Sequence, residues 1–280
     1  MSEPMREFHY RADDFQKVRS LLHKRSGISL SESKSQMVYS RLARRLRQLD
    51  LNSFTDYFGY LNQHEGEWQE FVNALTTNLT SFFRENHHFD ALTNYLRHLP
   101  KRTAPVRIWC SAASTGEEPY SLAITAMEAF NSLHPPVQIL ASDIDTSVLD
   151  TAREGIYPFS RVEQLSDARK KTFFMRGTGT QAGLVRVRSE LRELIEFQQI
   201  NLLGQQWPIR PGLDIIFCRN VMIYFDKPTQ QHLLARMVKL LRQDGLFFAG
   251  HSESFVHATH LVRLIGHTVY RPVPHEGDPA

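Results

Sequence analysis

From residue 106 onward, short apolar runs of strand character alternate with helical stretches, and this alternation restricts the fold more than any other feature of the chain. Residues 106–110 (VRIWC), 137–142 (VQILAS), 194–200, 213–218 and 245–249 are strand candidates. Helical patterns follow the first strand from about residue 118 and recur over 146–153 and 228–241. Pro228 stands near the first turn of the last helix, where its missing N–H would be unpaired anyway. Such an order gives an α/β unit built on a mainly parallel sheet with helices on both faces.

The N-terminal part has a different period. Residues from about 10 to 98 are predicted to be helical, with Phe15, Val18, Leu21 and Leu22, and later Phe71, Leu75 and Leu79, at helical spacing. The expected organisation is an all-helical N-terminal domain over 1–98, a basic proline-bearing linker over 99–105 and the α/β domain over 106–272. Residues 176–188 (RGTGTQAGLVRVR) break the alternation with three glycines followed by alternating apolar and basic residues. They predict a small antiparallel β-subdomain inserted at about 176–199. Residues 273–280 are expected to be a disordered tail.

Composition removes several classes. With 280 residues, 41% hydrophobic and 22% charged, the chain suits two modest globular domains. A balance of 33 basic against 30 acidic residues, formally +3, is too mild to argue for nucleic acid by itself. No apolar run approaches the roughly 20 residues that a spanning helix requires, and the first residues lack the apolar stretch of a secretory signal. Cys110 and Cys218 are the only cysteines, each closing a strand candidate, so neither a disulfide framework nor a zinc cluster is indicated. The expected compartment is the cytoplasm. His87 and His88 are adjacent, hence about 100° apart on a helix, and His251 is isolated; no metal site is expected.

Ligands of an open parallel sheet lie beyond the carboxyl ends of its strands. The loop 111–116 (SAASTG) leaves the first strand there, and its small side chains let backbone N–H groups approach a ligand. Glu117 and Glu118 follow at once. Two acids at a helix N-terminus repel a pyrophosphate but attract an ammonium or sulfonium group, and neither GxGxxG nor GxxxxGK[ST] is present. Asp143, closing the second strand, is placed to accept hydrogen bonds from both ribose hydroxyls; an N-cap is the plainer alternative, and Asp145 is the better cap.

At this point the chain resembles the chemotaxis receptor glutamate methyltransferases, the CheR family. The resemblance rests on residues 73–85 (NALTTNLTSFFRE), 111–121 (SAASTGEEPYS), 142–145 (SDID), 155–157, 174–179 (FMRGTG), 217–225 (FCRNVMIYF) and 250–253 (GHSE). It implies a class I S-adenosylmethionine-dependent methyltransferase (Rossmann-like) domain carrying the β-subdomain, behind the all-α domain. It also implies S-adenosyl-L-methionine as methyl donor, with S-adenosyl-L-homocysteine as product. By motif, Asn78, Thr80 and Arg84 reach the cofactor across the domain junction, Glu118 takes its ammonium and Asp143 its ribose. Asn201 and Leu202 border the adenine, Arg219 and Asn220 close the site, and Tyr224 stands near the transferred methyl.

The implied reaction is esterification of glutamates on the cytoplasmic domains of methyl-accepting chemotaxis receptors. A free glutamate, pKa about 4.3, is already the anionic nucleophile at neutral pH, so alignment and water exclusion matter more than a general base. Arg84 would orient the carboxylate and Tyr224 donate to it. On a helix over 35–49, Val38, Leu42, Leu46 and Leu49 fall within roughly 80°, and Arg41, Arg44 and Arg47 fan across the other side. That face is either simply solvated, a phosphate grip, or, by the resemblance, a dock for acidic receptor helices. Arg176 and Arg186 flank the glycines of the insertion, which is either a plain hairpin or, as in some relatives, a clamp for a receptor's C-terminal peptide. The rival readings are a class I nucleic-acid methyltransferase, which the missing NPPY- or DPPY-like motif disfavours, and a non-enzymatic S-adenosylmethionine-sensing adaptor, against which Arg84 and Tyr224 argue together.

Overall fold

The computed structural model describes residues 7–100 and 102–274. Of the tail expected to be disordered, residues 275–280 lie outside the described residues, whereas Val273 is held by its N–H donating to the Leu261 carbonyl at 3.0 Å. The first part is helical: α1 (Ala12–Ser26), α2 (Ser35–Gln48), α3 (Phe54–Gln63), α4 (Glu67–Leu75) and α5 (His87–Arg97). Helices α1 to α4 share one apolar cluster around Phe15, Val18, Leu22, Leu42, Tyr57 and Phe71. Ser53 caps α3 by accepting the Asp56 N–H. Gly27 ends α1 at φ 72°, its N–H donating to the His23 carbonyl at 2.8 Å. A Cβ at Gly27 would lie 2.1 Å from Leu203 Cδ1, so a larger residue would have to displace that side chain as well as adopt the left-handed φ that glycine takes freely.

The α/β part runs β1 (Val106–Cys110), α6 (Glu117–Phe130), β2 (Val137–Asp143), α7 (Thr146–Glu154), β3 (Ile156–Pro158), α8 (Asp167–Phe173), β4 (Phe174–Arg176), β5 (Leu184–Val187), α9 (Ser189–Arg192), β6 (Ile195–Gln199), β7 (Leu213–Cys218), α10 (Lys227–Val238), β8 (Leu241–Ala249), β9 (Val262–Gly266) and β10 (Val269–Pro272). Seven strands form the main sheet in the order β6-β2-β1-β7-β8-β10-β9. The first five are parallel, β10 is antiparallel to both neighbours, and Ile108 lies between Ile139 and Ile215. The pleat sends successive side chains to opposite faces. Cys110, Ile215, Phe217 and Phe248 therefore pack toward α5 and α6, while Trp109, Ile216, Cys218 and Phe247 pack toward α10. The winding reverses between β1 and β7, which opens a crevice at their carboxyl ends.

Three expectations are corrected. The inserted antiparallel sheet has the order β3-β5-β4 and spans 156–187, while β6, assigned to the insertion at 176–199, pairs in parallel with β2 of the main sheet. Residues 76–86 form no helix, and Phe83 and Glu85 have φ of 54° and 58°, outside the right-handed helical region. Leu79, expected on a buried helical stripe, is 77% exposed. By packing, α5 sides with the sheet: Phe89, Leu92 and Leu96 join the cluster of Ile108 and Phe217. In the linker, Arg102 forms a two-point ion pair with buried Asp214 at 2.6 and 2.7 Å. Among the described residues, no helix is long and apolar enough to cross a membrane.

Candidate active site

At the sheet's winding reversal lies a cavity of about 480 Å³, within the range of small-molecule and cofactor sites. Its walls come from both parts of the chain: residues 26–37 and 75–84 on the helical side, and the loops after β1, β2, β6 and β7 on the other. All nine residues expected to hold the cofactor, and Tyr224, border this one space.

The loop after β1 is fixed by backbone geometry. Ser114 (φ 48°) donates its N–H to Asp143 at 2.8 Å and its hydroxyl to the Asn78 carbonyl at 2.9 Å. Gly116 has φ 99°, and a Cβ there would lie 2.8 Å from Ala152 Cβ and from the Tyr157 hydroxyl. Asp143 ends β2 facing the cavity, and burial pushes its carboxyl up to about 6 although the Asp145 and Ser114 amides both donate to it. Each of its oxygens accepts one N–H, which leaves a lone pair on each for a hydroxyl. Asp145 is the cap of α7, accepting the Ser147 and Val148 N–H groups. It also accepts from Thr76 Oγ1 at 2.7 Å and Asn78 Nδ2 at 2.8 Å. The Asn78 amide thus crosses the junction to Asp145 while its residue lines the cavity.

The two acids after Gly116 part company. Glu118 borders the cavity and accepts hydrogen bonds from Arg219 Nη1 at 2.6 Å and from the Cys110 thiol at 3.2 Å. Burial raises its pKa, and the Arg219 charge works against that rise. Glu117 is buried away from the cavity, accepting the Thr115 hydroxyl at 2.6 Å with Arg161 at 3.5 Å. The expected pair of cation-attracting acids is therefore a single one, already matched to a guanidinium.

Arg219, its side chain fully buried, also meets Glu85 at 3.1 Å and donates to the Arg84 carbonyl at 2.5 Å. Burial opposes the Glu85 charge, but Arg219 and the His251 amide outweigh it and hold that carboxyl below the usual range. Asn220, at φ 57°, is kept there by Glu253, whose carboxylate accepts the N–H groups of Asn220, Val221, Met222 and Gly250 at 2.5 to 3.0 Å. Neither Glu85 nor Glu253 was singled out from the sequence, although both end stretches that carry the family resemblance. Ligand atoms of Glu85, His87 and His88 lie within 4.8 Å of one another, closer than the helical geometry of adjacent histidines suggested. The Glu85 carboxylate is committed to Arg219, and His88 Nε2 lies 3.0 Å from the His267 carbonyl. Burial, with the Arg219 charge, pushes His88 down to about 4.

Arg84 donates to the Leu79 carbonyl at 2.9 Å and lines the mouth, and the Thr80 carbonyl accepts from Arg161 at 3.0 Å. Asn201 Nδ2 donates to the Arg25 carbonyl at 3.1 Å, and the Leu202 carbonyl accepts from Arg236 at 3.2 Å. Tyr224 closes the short turn after β7, its carbonyl accepting the Ser29 N–H at 2.9 Å.

The proposed docking arginines are split. Arg41 turns inward, donating to the carbonyls of Thr76 and Ala74, which corrects its expected place on an outward face. Arg44 is exposed, and Arg47 meets Glu7 at 3.1 Å on the surface. In the small sheet Arg186 is exposed on β5, the central strand, so a peptide can add only along β3 or β4. Arg176, on β4, stacks over Phe159 at 5.1 Å.

A sheet wound in this order, with a nucleoside-fitting acid at the end of β2 and an acid after the β1 loop, makes this an S-adenosylmethionine-dependent methyltransferase of class I. "CheR methyltransferase, all-alpha domain" matches residues 13–76 and "CheR methyltransferase, SAM binding domain" matches 78–271. The chain belongs to the CheR methyltransferase family. It is 64% identical over 266 residues to "Chemotaxis protein methyltransferase 2" of Pseudomonas aeruginosa, covering 95% of each chain. It is 50% identical over 258 residues to "Chemotaxis protein methyltransferase" of Escherichia coli, covering 91% of this chain and 89% of that one. Among solved structures, the glycopeptide N-methyltransferase MtfA complexed with sinefungin covers 61% of this chain and 50% of its own, with a TM-score of 0.36 and 14% identity.

Proposed function

We propose that this methyltransferase esterifies glutamate side chains on the cytoplasmic domains of methyl-accepting chemotaxis receptors, and does so in the cytoplasm. The observation that carries the reading is the cavity at the winding reversal, with Asp143 and Glu118 on its inner wall and Arg84 at its mouth. The residues fit the cofactor. Asp143 has acceptor capacity left for two ribose hydroxyls, and Glu118 offers the ammonium a carboxylate held in place by Arg219. Asn78, Thr80, Asn201 and Leu202 wall the nucleoside, while Arg219 and Asn220 close the site.

S-adenosylmethionine supplies an electrophilic methyl carbon on a sulfonium and departs as the neutral thioether. The chain's own task is to bring a carboxylate oxygen into line with that carbon. Arg84 orients the entering anion and Tyr224 donates to it; both act by position, because a tight guanidinium clamp would stabilise the ground-state anion and slow transfer. Residues 106–272 carry the sheet that holds the cofactor, and Arg84 from the 76–86 segment completes the transfer site. The helical domain, with Arg44 and Arg47 outward on α2, docks the receptor. A receptor's C-terminal peptide adds to the β4 edge beside Arg176, which calorimetry with a tail peptide tests; no heat at high peptide concentration removes that contact.

The test of the main reading is tritium transfer from labelled S-adenosylmethionine to receptor-containing membranes, followed by mild base. Release of labelled methanol supports the ester. Label that resists base, or appears in nucleic acid, overturns it.

A further inference from the structure

Leu79 and Ile223 border the cavity from two different segments, with 77% and 50% of their surfaces exposed. Single exposed apolar residues are ordinary on protein surfaces, but these two stand on backbone that has little freedom. The carbonyls of Asn78, Leu79 and Thr80 each accept from a different part of the chain: Ser114 Oγ at 2.9 Å, Arg84 Nη1 at 2.9 Å and Arg161 Nη1 at 3.0 Å. Ile223 is gripped from both sides. The Val221 and Met222 N–H groups are taken by Glu253 at 2.9 and 2.7 Å, and the Tyr224 carbonyl by the Ser29 N–H. Both side chains are therefore presented to solvent by rigid supports, on the cavity that Arg84 also lines, and Arg84 is tied to the Leu79 carbonyl.

We propose that Leu79 and Ile223 form the apolar seat for the protein substrate, receiving an α-helix that inserts its glutamate between them toward Arg84. This rests on the methyl-transfer reading above. A helix fits the arrangement because residues one turn before and one turn after a given position lie on the same face, about 5–6 Å away. In the proposed seat the flanks of the inserted glutamate lie against Leu79 and Ile223, and small or apolar flanks are what it selects. The Arg84 guanidinium on the same cavity favours an acidic partner.

The test uses the full chain with Leu79→Ser, Ile223→Ser and the double variant, assayed on receptor-containing membranes. The double variant should raise the KM for receptor roughly tenfold, as expected for losing two apolar contacts, with little change in kcat. Affinity for S-adenosylhomocysteine by calorimetry should stay within about twofold. An unchanged receptor KM overturns the proposal. So does a parallel loss of product affinity, which would make the pair cofactor wall, or wild-type self-association that the double variant abolishes, which would make it a dimer contact. Failure of the wild type to methylate receptors sinks the functional reading instead, so the two failures are distinct.

Discussion

Glu118→Gln removes the carboxylate that follows the β1 loop and faces the cavity. The carboxylate sits 2.6 Å from Arg219 and borders the cavity, whereas Glu117, one residue earlier, is buried elsewhere. The amide keeps the shape but not the charge. A hydrogen bond to a charged group is worth about 1.5–3 kcal/mol and a neutral one about 0.5–1.5, so about 1.4 kcal/mol of cofactor affinity, or tenfold in Kd, should be lost. Folding should suffer little, because Arg219 keeps Glu85 at 3.1 Å as a counter-charge. For a chain of this size each lost kcal/mol lowers Tm by roughly 2–4 °C, which sets the scale for a control melt. Calorimetry with S-adenosylhomocysteine measures the affinity, with Glu117→Gln as comparison. The expected result is a tenfold weaker Kd for the first variant and less than a twofold change for the second. Equal affinities in both would refute the assignment of Glu118, and a larger loss at Glu117 would mean that the local packing around Gly116 matters more than charge in the cavity.

Gly116→Ala should lower Tm by several degrees, since φ 99° and a 2.8 Å contact with Ala152 Cβ together imply strain of roughly 1–3 kcal/mol; a melt within 1 °C of wild type, on the order of a few tenths of a kcal/mol, would contradict this. Arg41→Ala should cost roughly 1–2 kcal/mol in denaturant unfolding by stripping the Thr76 and Ala74 carbonyls of their donor. Arg44→Glu, at an exposed position, should leave unfolding unchanged and weaken receptor methylation only. Because burial raises the carboxyl of Asp143 to about 6, protonation below that pH removes its charge and turns one of its two acceptor oxygens into a donor, so cofactor affinity should fall as pH drops through 6. The stability effect has the opposite sign: folded Asp143 binds its proton more tightly than the unfolded chain does, so its share of stability falls as pH rises toward 6. Asp143→Asn should flatten both dependences, measured by calorimetry and by melting across pH 5 to 7.

The parallel strands were legible because buried strands leave unbroken apolar runs: β1, β2, β6 and β7 begin or end within a residue of their expected bounds. The cavity was legible for a related reason, since strand ends fix where the loops after them converge. Strands β3 and β4, three residues each, are too short to show an alternating pattern. The segment 76–86 is held irregular by partners far away in the chain, among them Asp145, Ser114, Arg161, Ser121 and Arg219, which its own residues do not display. Arg41 was misplaced for the same cause, because its acceptors lie 33 and 35 residues away in the chain. Glu85 and Glu253 escaped notice because they act on a guanidinium and on backbone amides, neither of which a sequence pattern displays.

Asp145 gathers the two halves of the molecule at one carboxylate, taking the Ser147 and Val148 amides and the Ser147 hydroxyl from α7, and Thr76 and Asn78 from the helical side. Prising the halves apart would strip the α7 cap of its outside partners and leave a buried acid short of donors. Those two contacts, each worth roughly 1.5–3 kcal/mol as hydrogen bonds to a charged group, are a latch that resists hinge opening at this junction.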